Sequence, residues 1–197
     1  MVKGLSLPLP FRRVCRRLDV RLSSHVLLVW VSCQRVDWLE RQAGGYTLRR
    51  LMPASTSRFG VGQLEGSNRT PLGLHRVARS IGTGWPQGTV FRSRVPTGFT
   101  WTGSPNAPIA HRILWLEGLE AGFNRGGCLD SFLRYIYIHG VGDELTLGRP
   151  ASRGCVHLAA RDIIELADRI PEQSLVWITV TPRPSRWPSE RVFQPTG

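Results

Sequence analysis

Lysine is nearly absent: Lys3 is the only one in 197 residues, and the other 25 basic side chains are Arg. A bias this uniform is better explained by a GC-rich coding sequence than by selection for guanidinium chemistry. Long apolar runs are missing as well. No stretch offers the roughly 18 uninterrupted apolar residues of a membrane-spanning helix. Cysteine is sparse, at positions 15, 33, 128 and 155. Four such residues are too few for a disulfide-built mini-scaffold. No Cys-x-x-Cys pair occurs, which excludes the usual zinc-ribbon and thioredoxin spacings. There is no internal repeat.

What is present suits one globular domain: 41% apolar and 20% charged residues. The 26 basic residues against 14 acidic ones give a formal charge of +12. Such a balance is compatible with nucleic acid, an anionic surface or an acidic substrate. The Arg residues are scattered through every segment and match no nucleic-acid motif, so a basic nucleic-acid-binding module is the remote reading and no nucleic-acid partner is expected.

Residues 1–24 carry Lys3 and five Arg against one Asp, a local charge of +5. The apolar Val26–Val31 that follows is shorter than a signal-peptide core of about 7–15 residues. No small-x-small cleavage site follows it, and Trp30 fits a lipoprotein site at Ser32-Cys33 poorly. The expectation is therefore an unstructured extension or a degenerate targeting segment over 1–24. A catalytic-size domain then covers 25–181, and a Pro-rich tail covers 182–197, with four Pro in residues 181–197.

Strand patterns are expected at His25–Ser32, Arg35–Arg41, Tyr46–Leu51, Leu72–Ile81, His111–Leu116, Arg134–His139 and Ser174–Thr181. Gly44-Gly45 reads as a hairpin turn. The apolar positions Ile163, Ile164, Leu166, Ala167 and Ile170 follow a 3.6-residue period, which predicts a helix over Ala160–Ile170, stopped by Pro171. Residues 82–110 hold five Gly and four Pro and resist assignment. So long an irregular stretch reads as a functional loop capping a cleft, which Trp85, Phe91, Phe99 and Trp101 would line or anchor. The fold class is mainly β, a sandwich or barrel-like domain with one clear helix.

The chemistry concentrates in Arg134-Tyr-Ile-Tyr-Ile-His139-Gly140 and Ala151-Ser152-Arg153-Gly154-Cys155-Val156-His157-Leu158. A strand ends in His-Gly, and a Ser-x-Gly-Cys turn leads toward a helix. An imidazole within reach of a thiol supplies the base a cysteine nucleophile needs. Gly154 permits a tight turn whose Gly154 and Cys155 amides can receive an oxyanion. Residue types alone leave two other readings open. One is a buried structural Cys beside a satisfied His. The other is a metal site of His139, Cys155 and His157 with Cys128 or His111, although Cys-x-His is not a standard zinc spacing.

These two motifs resemble the signature of the L,D-transpeptidase catalytic domain, also called the YkuD domain: a His-Gly, then Ser/Thr-His-Gly-Cys followed by Val/Ile and Arg or Asn. The likeness extends to Val26–Leu39, to Pro53–Gly62 with Gly66–Gly73, and to Ile113–Gly118 with Gly122–Gly127. It implies a cysteine-dependent peptidoglycan L,D-transpeptidase, needing no metal or organic cofactor. Cys155 is then the nucleophile, His139 the general base and acid, and Gly140 the group orienting His139. Gly154 and Cys155 form the oxyanion hole, and Ser152, Arg153 and His157 support the motif. Two positions depart from the signature: Arg153 stands for the motif His and His157 for the Arg or Asn. The resemblance implies stem peptides as partners, carbapenem-type inhibitors, and cell-wall cross-linking outside the cytoplasmic membrane. With water as acceptor the same site is an L,D-carboxypeptidase; a weakened site would be a peptidoglycan-binding protein. Arg69, Arg76, Arg125, Arg134 and Arg153 are candidates to meet the stem carboxylates.

Overall fold

The computed structural model describes residues 4–100, 107–185 and 187. Among the described residues two α-helices and ten strands form in the order α1 (Leu9–Arg17), β1 (His25–Trp30), β2 (Arg35–Gln42), β3 (Gly45–Ser55), β4 (Gly73–Ile81), β5 (Thr89–Arg92), β6 (Val95–Thr100), β7 (Ala110–Gly118), β8 (Tyr137–Gly140), β9 (Val156–Leu158), α2 (Ala160–Arg169) and β10 (Leu175–Thr179). Strands β4-β10-β1-β2-β3-β9-β8-β7 lie side by side, and β7 pairs back onto β4, closing a barrel. Only β1–β10 and β8–β9 run parallel among these pairs. The β5–β6 hairpin hangs from β7 through Val90 opposite Ala110. The expected mainly β, barrel-like class is thus the observed one.

The apolar run at β1 is explained by burial on both faces. Leu27 and Val29 enter one core cluster with Val176 and Ile178 of β10. Their alternates Val26, Leu28 and Trp30 join Leu175 and Trp177 in a second cluster on the opposite face. Helix α2 covers the first cluster with Ile163, Leu166 and Ala167. Helix α1 covers the second, burying Phe11 and Cys15, and Phe11 meets the Trp177 ring edge-on at 5.9 Å.

That second cluster corrects the expectation for residues 1–24. A strand apolar on both faces needs a cover on each, and Leu9–Arg17 provides it as a helix with a cationic outer side of Arg12, Arg13, Arg16 and Arg17. Val26–Trp30 is accordingly a core strand. At the other end Trp187, inside the expected surface tail of 182–197, is buried and packs edge-on against Trp30 at 5.7 Å. Residues 186 and 188–197 of that tail lie outside the described residues.

Two further expectations change. Residues 82–110 are not wholly irregular but contain β5 and β6. The strand expected over Arg134–His139 starts later, at Tyr137, because Tyr135 takes a left-handed backbone with φ 57°.

Candidate active site

Strands β8 and β9 run parallel with Ile138 opposite Val156 and His139 opposite His157. Cys155 therefore precedes β9 alongside Tyr137, while the two imidazoles sit side by side, ring centres 4.7 Å apart. His139 stacks in turn on Tyr137, 6.3 Å away and edge-on. One face of the pair thus carries Tyr137 and Cys155, then His139 and His157. Cys155, His139, His157, Ser152 and Arg153 line one cleft of about 340 Å3 with Ala107, Ile109, Asp143 and Thr146.

Each side chain is set by a local cause. His139 Nδ1 lies 2.9 Å from the Gly140 carbonyl oxygen. The carbonyl only accepts, so Nδ1 carries the proton and Nε2 is left as the acceptor. Gly140 is required by close approach: a Cβ there would lie 2.7 Å from the Ala110 carbonyl oxygen and from the His111 ring. Gly154 has φ 120°, a conformation glycine tolerates and side chains resist. Ser152 staples that turn, donating its hydroxyl to the Cys155 carbonyl at 2.6 Å while accepting the Gly154 N–H at 3.2 Å. The Gly154 amide is engaged inside the turn, a use the sequence did not reveal.

The Cys155 thiol is half-buried and donates to the Tyr135 carbonyl at 3.5 Å. Burial pushes it up to about 11, with the Tyr137 backbone and the Arg134 charge pulling the other way. Burial depresses His139 to about 4. Burial, then the neighbouring His139, lowers His157 to about 3. At rest the site therefore holds a neutral thiol and a neutral imidazole.

The scan against known families matches residues 16–178 to the L,D-transpeptidase catalytic domain, YkuD. The chain belongs to that family. Among solved structures it is similar to Bdellovibrio bacteriovorus Bd1075, at 18% identity and TM-score 0.53, covering 81% of this chain and 49% of that one. It is also similar to the helical cell shape determining protein Pgp2 of Campylobacter jejuni, at 15% identity and TM-score 0.50, covering 80% and 47%. An L,D-transpeptidase from Mycobacterium smegmatis aligns at 14% identity and TM-score 0.46, over 79% of this chain and 58% of that one. The chain spans about half the length of the first two, 49% and 47%. No curated protein matches it.

In this L,D-transpeptidase domain the five Arg candidates separate. Arg76 and Arg125 pair with Glu117 in a different groove. Arg134 donates to the carbonyls of Gly62, Gln63 and Arg69 at 3.3, 2.7 and 2.8 Å, tying that loop beside the Cys turn. Arg69 is exposed and supplies the last of those carbonyls. Only Arg153 lines the cysteine cleft. His157 Nδ1 is buried and, among the described residues, without a hydrogen-bond partner. Of the loop aromatics, Phe91 is buried with Ile113 and Tyr137, Trp85 and Phe99 are exposed, and Trp101 lies outside the described residues.

The metal alternative does not assemble: among the described residues no three His, Cys, Asp or Glu side chains are grouped to hold an ion. Cys128 is exposed, and His111 Nδ1 accepts the Gly88 N–H at 3.0 Å. Sequence reasoning passed over Tyr135, Tyr137 and Arg94. The alternation of Tyr137 and His139 along β8 is the signal that places Tyr137 on the histidine's face.

Proposed function

We propose that this domain is a peptidoglycan L,D-transpeptidase working through a Cys155 thioester. The observation that carries the reading is that one cleft holds both His139, its acceptor nitrogen fixed by the Gly140 carbonyl, and the half-buried Cys155. As Sγ attacks the carbonyl between the L-centre of a stem's third residue and the terminal D-Ala, its proton passes to His139 Nε2. The Cys155 amide receives the oxyanion, and the Gly154 amide joins it if Ser152 releases it. Collapse of the tetrahedral intermediate expels D-Ala, whose amine takes the proton from His139. An acceptor amine then attacks the thioester, His139 removes its proton, and the thiol is restored. No step draws on a metal or organic cofactor.

Stem peptides carry several carboxylates, and Arg153 at the rim suits them electrostatically. The substrate places the protein in the cell envelope, although no described helix is long and apolar enough to cross a membrane. Mixing the protein with purified tetrapeptide muropeptides and weighing the products tests the reading. A 3→3 cross-linked dimer supports transfer. A tripeptide alone assigns hydrolysis, and unchanged substrate contradicts both. Carbapenems should acylate Cys155 through their strained carbonyl. One added drug mass is expected, and none in Cys155→Ala. If the two motif departures slow this step, Arg153→His with His157→Arg restores it.

A further inference from the structure

Beyond Tyr137, on the side of Cys155 away from His139, the β5–β6 hairpin brings Arg94 onto an aromatic floor. Its guanidinium carbon lies 4.6 Å from the centre of Trp115 and 4.7 Å from that of Tyr135. Its Nη1 donates to the Tyr137 hydroxyl at 3.0 Å. The floor is itself braced. Trp115 stacks on Phe132 at 3.9 Å with the planes 3° apart, and its indole N–H donates to the Phe132 carbonyl at 3.0 Å. Tyr135 is 52% exposed and holds a left-handed backbone, φ 57°, while its carbonyl accepts from the nucleophile at 3.5 Å. A bulky residue in that conformation carries strain that its surroundings must maintain.

Among the described residues no carboxylate pairs with Arg94. A guanidinium has five N–H donors, and hydrogen bonding to the phenols of Tyr137 and Tyr135 leaves others open. Stacking on rings presents the remaining donors edge-on, the geometry suited to a carboxylate. The direction of the donor follows from the order along β8. His139 must face the leaving amine, so the acyl part retained on Cys155 runs the opposite way, past Tyr137 toward Tyr135.

We propose that Arg94 is the carboxylate anchor of the acyl donor, gripping a carboxylate carried by the part of the substrate that stays on the enzyme. Arg153, which lines the cleft with His139 and Cys155, is left to the leaving group. The placement rests on reading Cys155 as the nucleophile, but its test need not involve turnover.

Two tetrapeptide stems, identical except that the side-chain carboxylate of the third residue is free or amidated, are titrated calorimetrically into Cys155→Ala protein. The free acid binds about tenfold tighter, the effect of one charge-assisted hydrogen-bonded pair. Adding Arg94→Gln weakens the acid to the level of the amide and leaves the amide unchanged; Arg94→Lys keeps part of the difference. If Arg94→Gln weakens both peptides equally, the side chain only pins the hairpin and the proposal falls. It falls too if the acid keeps its advantage in Arg94→Gln, or if Cys155→Ala protein binds both peptides alike. A wild-type chain that forms no thioester, with the tenfold ratio intact, overturns the nucleophile and leaves the anchor standing.

Discussion

Two grooves of similar size open on this barrel. One, about 400 Å3, lies over β4 and β7 and is lined by Arg76, Arg79, Glu117, Arg125 and Asp130. The other, about 340 Å3, holds Cys155, His139 and His157. In the first, charges satisfy each other: Glu117 meets Arg76 at 2.6 Å and Arg125 at 3.6 Å, and Glu172 meets Arg79 at 3.6 Å. In the second, the central groups are neutral, with His139 buried and Cys155 half-buried, and one histidine nitrogen lacks a partner among the described residues. The first groove carries more charged side chains, yet its ion pairs are partly exposed and bring little energy or reactivity. Burial without compensation is what perturbs a titrating group, and such perturbation gathers at working sites.

Substitutions separate the two grooves. Cys155→Ala should abolish thioester formation, read as intact mass, while Cys33→Ala, exposed at a turn, retains it. Cys15→Ala should also retain it, with some loss of stability because Cys15 is packed beneath α1. His139→Gln should slow acylation by about 10²–10⁴-fold, the usual worth of a positioned general base, with a near-native melting temperature.

The neutral-pair description makes two pH predictions. Because burial holds His139 near 4, the acid limb of kcat/KM should fall near pH 4 and not near 6.5. Stability should follow the same histidines. His75 and His139, each lowered to about 4, and His157, lowered to about 3, bind fewer protons folded than unfolded. Their contribution is complete above about pH 6.5, the free value. It is lost as pH falls through the folded values, so the melting temperature should drop from about pH 6.5 toward 4. A flat melting temperature across that window contradicts the buried neutral state. The smallest effect is expected in the first groove. Glu117→Gln should shift stability by roughly 1 kcal/mol or less and leave acylation unchanged.

Much of the cysteine groove was legible because its residues are close in sequence and their spacing carries the chemistry. His139 ends one strand, and Cys155 follows a glycine turn sixteen positions on. The helix at 160–169 was legible because one face packs against the core and one does not. The helix at Leu9–Arg17 was hidden by its four Arg residues. Only the second apolar face of β1, matched by β10 far along the chain, demands a cover there. Arg94 was hidden for a similar reason. It sits in a Gly- and Pro-rich stretch, and its partners Trp115, Tyr135 and Tyr137 lie 21 to 43 positions away. Gly154 was read for its conformational freedom, but not for the bond its amide makes to Ser152.

The most direct test of the central claim is the intact mass of the chain after brief exposure to a tetrapeptide stem and acid quenching. The account predicts a gain equal to the stem less D-Ala, mapped to Cys155, present in the wild type and absent in Cys155→Ala. An adduct that survives in Cys155→Ala, or a wild-type chain that releases D-Ala without ever carrying one, would contradict it.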